Sequence, residues 1–220
     1  MLNGGFITFE GGEGAGKSTQ IRRLAETLRR HAREVVVTRE PGGTPLAEKL
    51  RAFILAGKAR QFGAFGEALL FSAARIDHLN RVIRPALVRG AYVLCDRFAD
   101  STRAYQGARG GAEDVMLATL ERVTLDGVKP DLTFILDIPP EMGLERACQR
   151  SGKGKADRFE AEDLAFHHLL RNKFIEIACA EPGRCRIIDA ARPKEEVAAE
   201  IWAACVDKWP LPTSEEKRWA

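Results

Sequence analysis

The stretch Gly11-Gly12-Glu13-Gly14-Ala15-Gly16-Lys17-Ser18 decides how the rest of the chain is read. It fits the pattern G-x-x-x-x-G-K-[ST]. It stands between an apolar run, Gly5–Phe9 (GFITF), and a stretch of helical period that begins at Lys17. Strand, glycine turn and helix in that order form the context in which the pattern serves as a phosphate-binding loop. Glycines let backbone N–H groups curl around phosphate oxygens, and the helix N-terminus adds the positive end of its dipole. Lys17 is placed to reach the β- and γ-phosphates of a nucleotide, and Ser18 offers a hydroxyl to Mg²⁺. The competing reading, a glycine-rich strand–helix turn with a stray lysine, does not account for the whole pattern in register.

Outward from this loop, four more short apolar runs recur between longer helical patterns: Glu34–Thr38, Ala91–Cys95, Leu132–Asp137 and Arg186–Asp189. Each is nearly continuous rather than alternating, as suits a parallel sheet covered on both faces. Helices are predicted over Lys17–His31, Thr44–Leu55, Glu67–Arg89, Ala112–Val123, Pro140–Arg150, Ala161–Ala178 and Lys194–Lys208, with Pro85 interrupting the third. Strand alternating with helix predicts a three-layer α/β/α fold with a five-stranded parallel sheet. No repeat and no long linker is present, so residues 1–220 read as one domain. Ser151–Ala156 reads as a mobile loop and Pro210–Ala220 as a loose tail.

Composition narrows the class. With 220 residues, 45% hydrophobic and 30% charged, the chain can bury a full core, which excludes a stapled miniprotein, a collagen-like fibre and a disordered tail. Lys+Arg 34 against Asp+Glu 31 leaves a formal +3, too small an excess to argue for a nucleic-acid or membrane-surface partner. The longest run free of charge is the nine residues Met1–Phe9, far short of the roughly 20 that a membrane helix needs. Five cysteines without a Cys-x-x-Cys pair suggest a reducing cytoplasm rather than a disulfide framework. His167 and His168, adjacent on a predicted helix, read as surface residues rather than metal ligands.

A second constellation follows the third predicted strand: Asp96-Arg97-Phe98, then Ser101-Thr102-Arg103-Ala104-Tyr105-Gln106. A carboxylate at a strand's carboxyl end beside the phosphate loop is where a metal-linked Asp96 would sit, although Asp96-Arg97 taken alone reads equally as a structural ion pair at a strand end. Arg97 offers a planar fork to a phosphate, and Tyr105 and Gln106 suit a sugar or a base edge. A phosphate loop alone gives nucleotide binding and no particular reaction. A GTPase would carry an Asn-Lys-x-Asp clamp after a later strand, yet here Leu132–Leu136 runs into Asp137-Ile138-Pro139-Pro140.

Taken together, these segments resemble the bacterial thymidylate kinases. Phe9–Thr19, with Glu13 in its middle, is similar to that family's phosphate loop. Thr38-Arg39-Glu40-Pro41-Gly42-Gly43-Thr44 is similar to its Arg-Glu-Pro-Gly-Gly-Thr segment. Glu67–His78 (EALLFSAARIDH) resembles its substrate helix, and Asp96–Gly107 its third-strand segment. The resemblance runs in order to about Glu160. It implies the P-loop kinase fold and the reaction ATP + dTMP → ADP + dTDP with Mg²⁺. In this scheme the loop Gly11, Gly12, Glu13, Gly14, Ala15, Gly16, Lys17, Ser18 and Thr19 holds ATP, and Ser18 and Asp96 hold the metal. Phe71, one helical turn from Arg75, would stack on thymine while Arg75 bonds a base carbonyl. Tyr105 would sit at the sugar's 2′ position, Glu13 near the 3′-hydroxyl, and Arg39 and Arg97 on the acceptor phosphate. Ser101, Thr102 and Gln106 complete the contacts. The resemblance also implies a homodimer. Phe98 stands where the family commonly has Tyr or His.

The basic run Arg146, Arg150, Lys153, Lys155 and Arg158 reads either as a solvated loop or as a lid over about 146–160. Because Glu13-Gly14-Ala15 contains no arginine, the chain resembles the subtype whose lid carries the basic residues, with Arg150 and Arg158 joining Lys17 and Arg97 in catalysis. A kinase for another monophosphate or deoxynucleoside would share this fold and loop. A non-catalytic P-loop switch would bind nucleotide without turnover.

Overall fold

The computed structural model describes residues 4–31, 33–108, 114–151, 159 and 161–209. Strands β1 (Phe6–Glu10), β2 (Val35–Arg39), β3 (Tyr92–Asp96), β4 (Leu132–Asp137) and β5 (Cys185–Asp189) form one parallel sheet in the order β2-β3-β1-β4-β5. All five predicted strands are present. β1, β2 and β3 each lie one residue later than the sequence reading had them, because strand pairing reaches one residue closer to the loops at their carboxyl ends.

Successive side chains of a strand point to opposite faces, and each face finds its own helices. Ile7, Phe9, Leu94 and Phe134 pack with Ile21, Leu24 and Leu28 of α1 (Lys17–Arg30) and with Val197 and Ile201 of α9 (Lys194–Lys208). Phe6, Val93 and Cys95 face the other way, against Leu79, Ile83 and Ala86. Ile135 meets Leu170 and Phe174 of α8 (Leu164–Ala180) on that same side. The three layers follow.

Local chemistry sets the helix starts. Thr44 caps α2 (Pro45–Leu55) by accepting the Ala47 N–H at 3.1 Å, with Pro45 in the first turn. Asp163 caps α8 by accepting from Phe166 N at 2.8 Å. The long helix expected over 67–89 starts earlier, as α3 (Gly63–His78). It then widens into a π-helical turn at Leu79–Ile83 and resumes as α4 (Arg84–Val88), with Pro85 in its first turn. Proline's missing N–H explains the interruption. One helix was not foreseen: α5 (Ala99–Ala108) takes up most of the segment after β3. α6 (Asp114–Leu125) and α7 (Pro140–Ser151) complete the α-helices of the described residues, and a 3₁₀ turn at Lys58–Phe62 joins α2 to α3. Most of the predicted mobile loop and lid, at 152–158, and the predicted tail at 210–220 lie outside the described residues.

His167 departs from its sequence reading. It is buried (4% exposed), because the helix turns it inward, its ring 5.6 Å from that of Phe166, while His168 meets Glu141 on the surface at 3.0 Å.

At the amino end of the sheet, Trp209 closes the core. Its ring lies edge-on to Tyr92 at 5.4 Å, and a Cβ added to Gly5 would sit 2.3 Å from its Cζ2. Gly5→Ala must therefore push Trp209 aside. It is expected to lower stability by about 2 kcal/mol and the melting temperature by several degrees, read by thermal unfolding followed by circular dichroism.

Candidate active site

The carboxyl ends of β1, β2 and β3 open onto one cleft of about 370 Å³. Register aligns them: Phe9 pairs with Asp96, and Asp96 with Arg39, so the segments that follow leave the sheet side by side. Of the site residues expected from sequence, Glu13 to Thr19, Arg39, Phe71, Arg75, Asp96, Arg97, Ser101, Thr102, Tyr105 and Gln106 all line this cleft. Gly11 and Gly12 instead line a separate cavity of about 20 Å³ behind the loop, together with Asp137, His167 and Arg171. The Arg150 side chain and Arg158 lie outside the described residues.

The phosphate loop is held tightly from behind. A Cβ on Gly14 would lie 1.9 Å from the Gly143 carbonyl of α7, and Gly14 has φ +65°, so glycine is required twice over. On its open side, a Cβ built on Gly12 or Gly16 meets no atom within 4 Å, which leaves a concave stretch of backbone free to cradle an anion. Lys17 donates to the carbonyls of Gly11 at 3.0 Å and Gly12 at 2.7 Å. Burial pushes its ammonium down to about 8, with Arg97 adding to the effect and Glu13 and Asp96 opposing it. Phosphate oxygens beside that ammonium favour its charged form.

Ser18 donates to Asp96 Oδ2 at 2.7 Å at the mouth of the loop. A hydroxyl and a carboxylate are hard oxygen donors of the kind Mg²⁺ takes. The described residues contain no cluster of three or more His, Cys, Asp or Glu able to hold a metal by themselves. The pair thus fits a cation that keeps the rest of its shell for phosphates and water.

Arg97 sits at φ 67°, a region that side chains other than glycine's rarely adopt. Its N–H reaches the Phe9 carbonyl at 2.9 Å, and the next N–H, from Phe98, reaches Glu10 Oε1 at 2.7 Å; these two bonds hold the turn. The guanidinium donates to the Gly11 carbonyl at 3.0 Å and to Glu13 Oε1 at 2.6 Å, and it lies 5.0 Å from the centre of the Tyr105 ring. The Tyr105 hydroxyl donates to the same Glu13 oxygen at 2.6 Å. Burial opposes charge on Glu13, but Arg97, Lys17 and the Tyr105 bond outweigh it and hold the carboxyl at about 2. Burial also opposes charge on Arg97. Glu13 and the neighbouring Tyr105, Asp96 and Glu10 overcome it, so its pKa lies above the ordinary value.

The deeper end of the cleft is different in character. Phe71 packs partly buried against the α8-side core, and its neighbour one turn on, Arg75, is buried. Arg75 donates from Nε to Glu40 at 2.6 Å and from Nη2 to Thr102 Oγ1 at 3.0 Å and the Phe98 carbonyl at 3.2 Å. Both amide atoms of Gln106 are buried without a hydrogen-bond partner among the described residues. A buried amide with no partner costs free energy, and a ligand amide is what would satisfy it.

Some of these groups already have partners within the protein. Ser101 lines the cleft, but its hydroxyl is committed to Glu10 Oε2 at 2.6 Å. Arg39 is half exposed and paired with Glu48 at 3.0 Å. Arg146, counted with the basic run, donates to the Ala190 carbonyl at 3.0 Å. Sequence reading missed Arg51, Leu55 and Phe159, which also line the cleft. Nothing in their spacing marks them, since each reaches the site only through the packing of α2 and of the chain before α8.

Comparison with known proteins places this arrangement. A family model described as "Thymidylate kinase" matches residues 9–201. A thymidylate kinase from Nitrobacter hamburgensis is 56% identical over 208 residues, covering 94% of this chain and 90% of that one. One from Bradyrhizobium diazoefficiens is 53% identical over 210 residues, covering 96% and 92%. The crystal structure of thymidylate kinase from Ehrlichia chaffeensis superposes with a TM-score of 0.73 at 36% identity, covering 92% of this chain and 99% of that chain. On these grounds, and with the cleft described above, the chain belongs to the thymidylate kinase family, whose reaction is the phosphorylation of dTMP to dTDP.

Proposed function

We propose that the chain, acting as one domain, transfers the γ-phosphoryl group of ATP to dTMP, with the donor on the phosphate loop and the acceptor in the Phe71–Gln106 end of the cleft. The observation that carries this reading is the joining, in one cleft, of an anion cradle to a deep chamber of aromatic, guanidinium and unpartnered amide groups. Lys17 and the loop backbone hold the donor's phosphates. Ser18 and Asp96 would hold Mg²⁺, which would supply neutralisation of the phosphates' charge there. Arg97 and Arg39 take the acceptor phosphate, Glu13 and Tyr105 the sugar, and Phe71, Arg75, Thr102 and Gln106 the base.

No general base is required, because the acceptor's phosphate oxygens are already ionised. Catalysis is positioning plus neutralisation of charge. Arg150 and Arg158 belong to the proposal as the cations a lid would bring to the transferred group. A homodimer belongs to it as well: exposed apolar side chains on α3 (Leu69, Ile76) and α6 (Val115, Met116, Val123) support pairing through helices that flank the sheet. Among the described residues no helix is long and apolar enough to cross a membrane, and a cytoplasmic setting is part of the same reading.

An ADP-release assay across dTMP, dUMP, dCMP, dGMP, AMP and the free nucleosides tests it, with dTMP expected as the clearly preferred acceptor. Equal or better use of another acceptor would reassign the substrate, and tight nucleotide binding without turnover would mark a switch rather than a kinase.

A further inference from the structure

We propose that His78 is a positioning residue for selection of the acceptor's base, acting through Glu40 on Arg75; this rests on the base site described above. His78 does not line the cleft and has no exposed surface, so it reaches the substrate only through others. Its two ring nitrogens are both engaged. Nδ1 lies 2.9 Å from Glu40 Oε1, and Nε2 lies 2.6 Å from Thr38 Oγ1. A carboxylate only accepts, so Nδ1 carries the hydrogen, and in the neutral ring Nε2 accepts from the Thr38 hydroxyl. The second oxygen of Glu40 takes the Arg75 Nε hydrogen at 2.6 Å.

The result is a buried chain, Thr38 to His78 to Glu40 to Arg75, that links β2 to α3. Its surroundings are closed as well: a Cβ on Gly43 would lie 2.7 Å from both His78 Nε2 and Thr38 Oγ1, so the 40–44 turn rests on the imidazole.

The chain determines what Arg75 can offer. Nε is committed to Glu40, and Nη2 to Thr102 and the Phe98 carbonyl, while the guanidinium lies 5.2 Å from the Phe98 ring centre. Of the three guanidinium nitrogens, Nη1 alone makes no hydrogen bond among the described residues, and Arg75 lines the cleft. A guanidinium never loses its proton, so this nitrogen presents hydrogen-bond donors and no acceptor. A base with a carbonyl at that place is matched; a base with an amino group there sets donor against donor and leaves both unsatisfied. The discrimination depends on the guanidinium's not rotating, and Glu40 can hold Nε only while His78 holds Glu40.

The test uses the full chain and three variants. His78→Asn keeps a donor where Nδ1 stands, His78→Gln reaches toward Thr38 and abandons Glu40, and Glu40→Gln weakens the hold on Arg75 directly. For each, kcat and KM are measured with dTMP and dCMP, and the KM for ATP reports an intact phosphate loop. In His78→Gln and Glu40→Gln, KM for dTMP is expected to rise by about 10-fold or more, with kcat at saturation within a few-fold of wild type. The dTMP:dCMP ratio of kcat/KM is expected to fall by about 10-fold as well, while His78→Asn retains the ratio. An unchanged ratio in His78→Gln, or equal losses in kcat, dTMP KM and ATP KM in both histidine variants, would overturn the proposal. Wild-type enzyme without preference for dTMP would overturn the base reading itself, an outcome separable from a wild-type preference that His78→Gln leaves intact.

Discussion

Lys17→Ala is expected to lower kcat by about 10³-fold, the scale of loss when a fixed cationic group is removed from a phosphoryl-transfer site. The expectation comes from placement. The Nζ is pinned between the Gly11 and Gly12 carbonyls, 7% of the residue is exposed, and no other lysine lines the cleft among the described residues. A flexible surface lysine cannot substitute for it. Stability should change little, because two opposing terms are removed together. The variant loses two hydrogen bonds, but it also loses an ammonium whose charge burial disfavours enough to bring its pKa down to about 8. Turnover by ADP release and melting by circular dichroism separate the two. A variant that kept more than a tenth of wild-type kcat would remove Lys17 from the mechanism.

Arg97→Ala should be nearly as costly, with a loss in kcat/KM for dTMP of about 10³-fold, and it should leave a second signature in acid. The backbone strain at φ 67° is common to arginine and alanine, so the difference between the two proteins reports the guanidinium. That group is among the favourable partners holding Glu13 at about 2, against an ordinary value of 4.5. A carboxyl depressed in the folded state contributes stability that is present above about 4.5 and is lost as the pH falls toward 2. Without Arg97 the burial of Glu13 is no longer offset to the same degree, its pKa rises, and the window of protection narrows. The acid-unfolding transition should therefore move to higher pH, measured by circular dichroism between about pH 2 and 5. An unmoved transition would mean that the pair at 2.6 Å contributes nothing to the fold.

Much of this site could be read from the residues because its parts are local. A phosphate loop is a contiguous run whose glycines, lysine and serine are set by backbone geometry, so Gly11–Ser18 announces itself. The strands show as apolar runs because a parallel sheet buries both faces. What could not be read depends on how distant elements meet. Asp96–Gly107 gave no helical period, because α5 is buried through Ala99, Asp100, Ala104, Tyr105 and Gln106, a mixed set governed by charge pairing as much as by apolar packing. Asp100 within it is held at 2.7 Å by Arg184, in the turn between α8 and β5. His167 was misread for the same reason: adjacent polar residues look like a wet surface until the helix is rotated against β4. Arg51, Glu40 and His78 reach the site or its support through α2, the β2 turn and the end of α3, and only the packing of those three makes them neighbours.

Trp209 on Gly5 shows that the sheet has an idle end as well as a working one. Glu13, Lys17, Ser18, Arg39, Asp96 and Arg97 all stand at or after the carboxyl ends of β1, β2 or β3, while the amino ends are closed by an aromatic plug and by tight turns at Gly90 and Gly127. Changes of chain length fall differently on the two. An inserted or deleted residue inside β3 would carry Asp96 to the opposite face and separate it from Ser18, because side chains alternate along a strand. The turn between α6 and β4 carries no site residue, so for anyone cutting, rejoining or grafting onto this scaffold it is the place for new termini or a foreign loop.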